Sequence, residues 1–215
     1  MAQTKEYTTM SARRVVLSAN TSWNIVNFRA GLVKALISAG YEVVAVAPPD
    51  AWASRLAQLG CRYVPLPMDN TGISPIADIS LLTRFRQILG DERPKAFLGY
   101  TVKPNIYGSL AARSLSIPTI NNISGLGTIF ISPSWVTAIV KVLYKLALGP
   151  ASKVFFQNND DRELFESLGL VRPAAAEVLP GSGVDLEHFT PAVVPDREGR
   201  DEFATVFLLV ARLLR

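Results

Sequence analysis

Short apolar runs alternate with longer amphipathic stretches along most of this chain of 215 residues. The short runs are almost continuously apolar, which is typical of strands buried on both faces of a parallel sheet. The predicted strands are Val15–Ala19, Val43–Ala47, Tyr63–Leu66, Ala96–Leu98, Thr119–Ile120, Val154–Phe156 and Glu177–Leu179. The predicted helices are Phe28–Ser38, Ala51–Leu59, Ile76–Leu89, Asn105–Ser114, Trp135–Leu148 and Asp160–Leu168. Repeated strand–helix pairs predict an α/β fold, in which a Rossmann-like parallel sheet carries helices on both faces.

The alternation stops near the carboxyl end of the chain. A stretch rich in proline and charge at 190–204 predicts a linker, and the apolar run Thr205–Val210 that follows it predicts one more strand. We therefore expect a disordered tail at 1–12, a Rossmann-like domain at 13–189, and a final segment at 205–215 that begins another domain.

Five connections that follow predicted strands are rich in amides, hydroxyls and glycines. Ligands bind beyond the carboxyl ends of the strands in an open parallel sheet, so these connections should meet at one edge. Amides and hydroxyls suit a neutral polyhydroxyl ligand, and glycine lets backbone N–H groups approach phosphate. Any one loop could be an ordinary turn, but five at one edge favour a binding site. The candidate substrate-binding residues are Asn20, Thr21, Asn27, Arg29, Lys103, Asn105, Ser124, Gly125 and Gly127.

Several of these candidates have a structural alternative of similar weight. Lys103 and Asn105 suit a cationic helix start that faces the cleft, or equally a helix cap with a solvated lysine. Arg29 is a phosphate candidate, although a surface position on the first helix is the stronger alternative. The glycines around Ser124 suit either close approach to a ligand or a flexible turn. The single histidine, His188, is more typical of a structural residue than of a catalytic one.

The sequence also excludes several kinds of function. The first connection has no glycine, so the dinucleotide-binding G-x-G-x-x-G turn is absent, and the chain has no P-loop motif. No Cys, His and Asp cluster has metal-ligand spacing, so we expect neither a metal nor a cofactor. The net charge of +4, without a basic stripe interleaved with aromatics, argues against nucleic-acid binding.

The segment Trp135–Leu148 has two interpretations. Its apolar positions follow helical spacing, with Lys141 and Lys145 one turn apart on another face. This pattern suits a helix on an anionic membrane surface, and it suits slightly better an ordinary helix packed against the core.

Three stretches, "YTVKPNIYGSLAAR", "PTINNISGLG" and "GSGVDLEHF", resemble those of bacterial retaining glycosyltransferases with the two-domain GT-B fold. The opening "NTSWNIVNFRAGLVKAL" is similar to their first loop and helix. The resemblance implies the N-terminal, acceptor-side half of a GT-B enzyme that assembles O-antigen, capsule or N-glycan precursors. It implies a nucleotide-diphosphate sugar as donor, a polyprenyl-diphosphate-linked acceptor, a hexosyl or N-acetylhexosaminyl group transferred, and a place at the inner face of the cytoplasmic membrane.

The same resemblance gives the last residues a role. "FLLVARLLR" is similar to the first strand of the second domain in these enzymes, where Arg212 matches an arginine that contacts the donor diphosphate. The rest of the donor pocket lies outside this sequence, so we expect the chain alone to be inactive. No catalytic base is assigned.

Two alternatives stay open. One is a nucleotide-sugar epimerase of the GT-B type, which needs carboxylate or histidine bases that the loops lack. The other is a non-catalytic Rossmann-like module that binds a sugar or nucleotide.

Overall fold

Seven strands, each parallel to its neighbours, form one sheet among the residues that the computed structural model describes, which are 13–69, 74–125, 135–179, 181–186 and 189–190. The strands are β1 (Arg14–Ser18), β2 (Glu42–Ala47), β3 (Arg62–Pro65), β4 (Ala96–Tyr100), β5 (Thr119–Ile123), β6 (Lys153–Phe156) and β7 (Ala176–Val178). The helices are α1 (Ser22–Phe28), α2 (Ala30–Ser38), α3 (Ala53–Gln58), α4 (Pro75–Glu92), α5 (Ser109–Ser114), α6 (Trp135–Leu148) and α7 (Asn159–Ser167). A π-helix at Pro104–Gly108 runs directly into α5, and a short 3-10 turn at Pro173–Ala175 precedes β7.

The strand order is β3-β2-β1-β4-β5-β6-β7, so the order of the strands reverses between β1 and β4. Leu17 of β1 is in register with Ala45 of β2 on one side and with Leu98 of β4 on the other. The connections that follow β1 and β4 therefore leave the sheet in different directions, and a crevice opens between them at the carboxyl edge.

Alternate residues of the strands point to two apolar layers. On one face, Val15 and Leu17 lie in a cluster with Ile25, Val33 and Leu56 of α1, α2 and α3. On the other face, Val16 and Phe97 pack against α4 and α5. The register between β4, β5 and β6 places Ile123 and Phe156 on this second face, where they pack against Val140 and Tyr144 of α6. The predicted parallel sheet with helices on both faces is confirmed.

All seven predicted strands among the described residues are present, but the prediction misses a helix. The segment after β1 was expected to be a loop as far as Asn27, and most of it forms α1 instead. The Asn24 N–H donates to Thr21 Oγ1 at 3.1 Å, and the Ser22 N–H donates to Asp50 Oδ2 at 2.7 Å. Because Asp50 belongs to the connection after β2, the local sequence pattern does not reveal this second cap.

Strand β5 is longer than predicted. It continues beyond Thr119–Ile120 through Asn121, Asn122 and Ile123. These two amides were expected to lie in a ligand-facing loop, and they are buried strand residues instead.

The described residues fall into a large unit that ends at Val184 and a short one that begins at Asp185. In the short unit, the Phe189 N–H donates to the Asp185 carbonyl at 2.9 Å. The predicted boundaries at 189/190 and 204/205 stay predictions, and the strand at Thr205–Val210 lies outside the described residues. None of the helices in the described part of the chain combines the length and the hydropathy needed to cross a bilayer.

Gly108 provides a test of how closely the π-helix approaches the sheet. A Cβ at this position would lie 2.7 Å from Cε1 of Phe97 and still nearer to Cζ of that ring. We expect Gly108→Ala to lower the free energy of unfolding by about 1–3 kcal/mol in urea denaturation, because the buried Phe97 ring would have to move. Gly90→Ala in α4 is the matched control, since its Cβ would meet nothing within 4 Å. An equal effect of the two changes would contradict this close approach.

Candidate ligand-binding site

A pocket of about 220 Å³ opens at the carboxyl ends of β1, β4 and β5. It lies at the place where the strand order reverses, which is where open α/β sheets bind ligands. Its lining residues are Asn20, Thr101, Val102, Lys103, Asn105, Ile123, Ser124, Gly125 and Tyr144. Five of the nine candidate residues therefore come together in one pocket: Asn20, Lys103, Asn105, Ser124 and Gly125.

A strained threonine joins the two connections at the crevice. Thr101 has φ of 64°, a left-handed conformation that a β-branched residue seldom adopts. Its Oγ1 accepts a hydrogen bond from the Asn20 N–H at 3.1 Å and donates to the Tyr100 carbonyl. Such strain costs about 1–3 kcal/mol and is found most often at functional sites. Thr101 was not among the predicted site residues, because a β-branched residue gives no local signal for positive φ.

A buried amide cluster holds the π-helix against β5. The Asn121 side-chain NH₂ donates to Asn105 Oδ1 at 2.9 Å and to Ser109 Oγ at 2.8 Å. The Asn105 NH₂ donates in turn to the Asn122 carbonyl at 2.9 Å. Since both ends of the Asn105 amide bind protein groups, this residue shapes the pocket wall, and its predicted contact with a ligand stays a prediction.

Lys103 is neither solvated nor simply a cap. Its Nζ donates to Asp78 Oδ1 of α4 at 2.9 Å, and both side chains are largely buried. Burial raises the pKa of the Tyr107 phenol, and a hydrogen bond to Asp78 raises it further. The lysine, the carboxylate and the phenol thus tie the first turn of α4 to the π-helix beside the pocket.

Thr21 and Asn27, the other two candidates from the connection after β1, form hydrogen bonds with backbone groups of α1. Thr21 caps the helix through its hydroxyl, and the exposed Asn27 donates from its side chain to the Trp23 carbonyl at 2.9 Å. The first N–H groups of α1 bind the Asp50 carboxylate, so this helix start already has an anionic partner. Neither Thr21 nor Asn27 lines the pocket.

Arg29 was expected at the surface of the first helix, but it is buried. It separates α1 from α2 with only 7% of its surface exposed, and its guanidinium lies 4.2 Å from the centre of the Tyr100 ring. One of its nitrogens donates to Ser182 Oγ in the loop after β7, and its Nε has no partner among the described residues. Burial lowers the pKa of Arg29 from its ordinary value.

The connection after β5 contributes Ser124 and Gly125 to the pocket lining. Ser124 Oγ donates to Asn122 Oδ1 at 3.0 Å, and Gly125 has φ of 137°, which favours glycine. Gly127, Arg212 and His188 lie outside the described residues. Tyr144 of α6 is a lining residue that the prediction missed, because its spacing indicates only a core position.

The pocket offers hydroxyls, amides, backbone groups and one paired ammonium. No carboxylate or histidine is among the described residues that line it. This set can bind and orient a polar ligand, but it has no ordinary general base for proton transfer.

The glycosyl transferase 4-like domain matches residues 25–182 of the chain. The chain belongs to this family. The matched range contains every described pocket residue except Asn20. The expected resemblance to the N-terminal domain of a GT-B glycosyltransferase is thereby confirmed.

One relative of this glycosyl transferase 4-like chain is N,N'-diacetylbacillosaminyl-diphospho-undecaprenol alpha-1,3-N-acetylgalactosaminyltransferase from Campylobacter jejuni. The two are 24% identical over 214 residues, which cover 94% of this chain and 56% of the relative. This chain therefore spans about half the length of the curated relative that it matches.

Solved structures share the fold at low sequence identity. UDP-N-acetylglucosamine 2-epimerase from Rickettsia bellii has a TM-score of 0.57 at 17% identity, over 80% of this chain and 45% of its own. Alr3699/HepE from Anabaena, solved with UDP and glucose, has a TM-score of 0.59 at 14% identity, over 81% and 46%. These structural similarities confirm the prediction that the chain has the fold of one half of a GT-B protein.

The Lys103–Asp78 pair can be tested by removing one partner. Lys103→Met leaves the Asp78 carboxylate buried without its cation, so we expect the free energy of unfolding to fall by about 3 kcal/mol. The double variant Lys103→Met with Asp78→Asn should recover much of this loss, because a neutral amide needs no cation. Urea unfolding of the single and double variants measures the difference. A single variant as stable as the unmodified chain would show that the pair makes no such contribution.

Proposed function

We propose that this chain is the acceptor-side domain of a glycosyltransferase. The whole enzyme transfers a sugar from a nucleotide-diphosphate donor to a saccharide carried on a polyprenyl diphosphate. The observation that carries the proposal is the family match, which covers every described pocket residue except Asn20. The Campylobacter jejuni relative supports the acceptor class, because its name describes an undecaprenyl-diphosphate-linked acceptor.

The acceptor is the ligand that the pocket chemistry suits best. Hydroxyl and amide groups of Asn20 and Ser124 can bind sugar hydroxyls, and the backbone at Gly125 is open to close approach. Lys103 adds positive potential near an acceptor diphosphate, even though Asp78 already pairs with it. In this proposal the pocket positions the acceptor oxygen rather than removing its proton.

The donor would be held mainly by the second domain. Transfer breaks the bond between the anomeric carbon and the donor phosphate oxygen, and it forms a bond from that carbon to the acceptor oxygen. Negative charge grows on the departing nucleoside diphosphate, so cationic groups there lower the barrier. Arg212 is the proposed donor-diphosphate contact. Retention at the anomeric carbon, with the donor phosphate taking the acceptor proton, fits a pocket whose described lining has no base.

The type of sugar and the site of action are part of the same proposal. We infer hexosyl or N-acetylhexosaminyl transfer, with N-acetylgalactosaminyl transfer by the relative as its support. We propose that the enzyme acts at the inner face of the cytoplasmic membrane, because a polyprenyl chain is embedded in a bilayer. Because donor and acceptor must be held together by two domains, this chain alone should transfer no sugar.

Epimerisation of a nucleotide sugar is the second candidate, since the fold is shared with the Rickettsia bellii epimerase. That reaction moves protons at the sugar and needs acid–base groups that the described pocket lining lacks. A non-catalytic binding module is the third candidate function. Incubation of the full-length protein with nucleotide sugars distinguishes them: epimerisation proceeds without an acceptor, transfer requires one, and a module catalyses neither.

The decisive assay uses the full-length protein, radiolabelled nucleotide sugars and a polyprenyl-diphosphate saccharide. We expect transfer of one labelled sugar, and we expect Ser124→Phe to raise the KM for the acceptor by about tenfold or more, because the ring fills the pocket mouth. Ser152→Phe is the matched control, since Ser152 is exposed just before β6, at the opposite edge of the sheet. The proposal fails if no donor is consumed with any acceptor, and the assigned pocket is wrong if the two variants behave alike.

A further inference from the structure

Helix α6 is apolar on both of its sides. Its inner side packs Val140, Tyr144 and Leu148 against the core. Its outer side exposes four large apolar residues, with exposed fractions of 74% for Trp135, 49% for Ile139, 58% for Val142 and 47% for Leu146.

These four residues, the α6 stripe, form one line along the helix. Their spacing of four, three and four residues keeps them on one face, opposite the buried residues. Single exposed apolar residues are ordinary, but a continuous apolar line of this length marks an interaction surface. A core-packed helix would need only its inner side to be apolar, so core packing explains half of the pattern.

The surroundings of the α6 stripe are basic. Lys145 is exposed beside it, Lys141 lies one turn earlier, and Arg113 of α5 donates to the Leu146 carbonyl at 3.2 Å. Helix α6 itself contains no acidic residue. Long basic side chains beside an apolar line place their charges at the level of anionic headgroups while the apolar residues enter the acyl boundary.

The pocket lies on the inner side of the same helix. Tyr144 lines the pocket from the side of α6 that faces away from the stripe. The two are thus separated by roughly one helix diameter, about 10 Å. A lipid-linked acceptor has its diphosphate at headgroup depth, so a bilayer at the stripe would bring the saccharide to the pocket mouth.

We propose that the α6 stripe rests on an anionic lipid bilayer and that Lys141, Lys145 and Arg113 contact its headgroups. The inference deepens the proposed function, because it assigns the surface through which the acceptor's membrane is met. The first two turns of α4, a helix on the same side of the sheet as α6, expose Ile76 and Ile79, which adds apolar area near the site.

The test measures partition of this chain into vesicles. The chain should sediment with vesicles that contain phosphatidylglycerol and phosphatidylcholine. The fraction of the chain that is bound should fall at high salt, and it should be smaller with vesicles of pure phosphatidylcholine. In a variant with Trp23→Phe and Trp52→Phe, emission from Trp135 should shift to shorter wavelength on binding. Ile139→Ser with Val142→Ser should weaken partition at least tenfold, and Lys141→Gln with Lys145→Gln should remove the preference for the anionic lipid.

The matched control is Leu32→Ser with Ile37→Ser on α2, which covers the opposite face of the sheet and exposes two apolar residues. This control should partition within about twofold of the unmodified chain, and urea midpoints should show that all variants fold. The proposal is overturned if the stripe variant still binds vesicles as the unmodified chain does, or if neither vesicle binds. It is also overturned if sedimentation shows that the unmodified chain is a dimer, that the stripe variant is a monomer, and that the two bind vesicles equally. Vesicle binding needs no sugar transfer, so a failed transfer assay and a failed partition assay are separate results.

Discussion

A buried amide NH₂ group in a parallel strand requires hydrogen-bond acceptors, and this requirement organises the site. Asn121 lies in β5 with no exposed surface, and its NH₂ group is satisfied by Asn105 and Ser109 of the segment that follows β4. Each such bond contributes about 1 kcal/mol, but leaving the buried group unpaired would cost about 1–3 kcal/mol. The π-helix therefore has to stay against β5, and Gly108 allows it to lie on the Phe97 ring.

With the π-helix held there, the chain between it and β4 has little freedom. Thr101 takes a strained conformation that its hydrogen bonds to Asn20 and Tyr100 maintain, and Lys103 is drawn onto Asp78. The outcome is a preorganised pocket of polar groups at the strand-order reversal. In the proposed function this pocket holds an acceptor while another domain holds the donor. On this account the domain positions the acceptor, and the residues that bind the donor stabilise the leaving group.

The strands could be predicted because burial on both faces makes them continuously apolar, and the sheet edge that carries the pocket followed from the fold. The end of β5 was missed because Asn121 and Asn122 resemble turn residues unless their buried partners are known. Helix α1 was missed because Asp50 caps it from another connection, and the Lys103 pairing was missed because Asp78 lies 25 residues away. These errors share a cause: polar groups whose partners are distant in sequence give no local pattern.

The central claim is that the pocket between β1 and β4 binds the acceptor rather than the donor. Amide NMR spectra of this chain, titrated with a water-soluble short-prenyl diphosphate saccharide and separately with UDP, test it most directly. The account predicts shifts from the short-prenyl ligand concentrated at Asn20, Thr101, Ser124 and Gly125, with these amides unmoved by UDP. Shifts at these four amides from UDP but not from the prenyl-linked saccharide would contradict it.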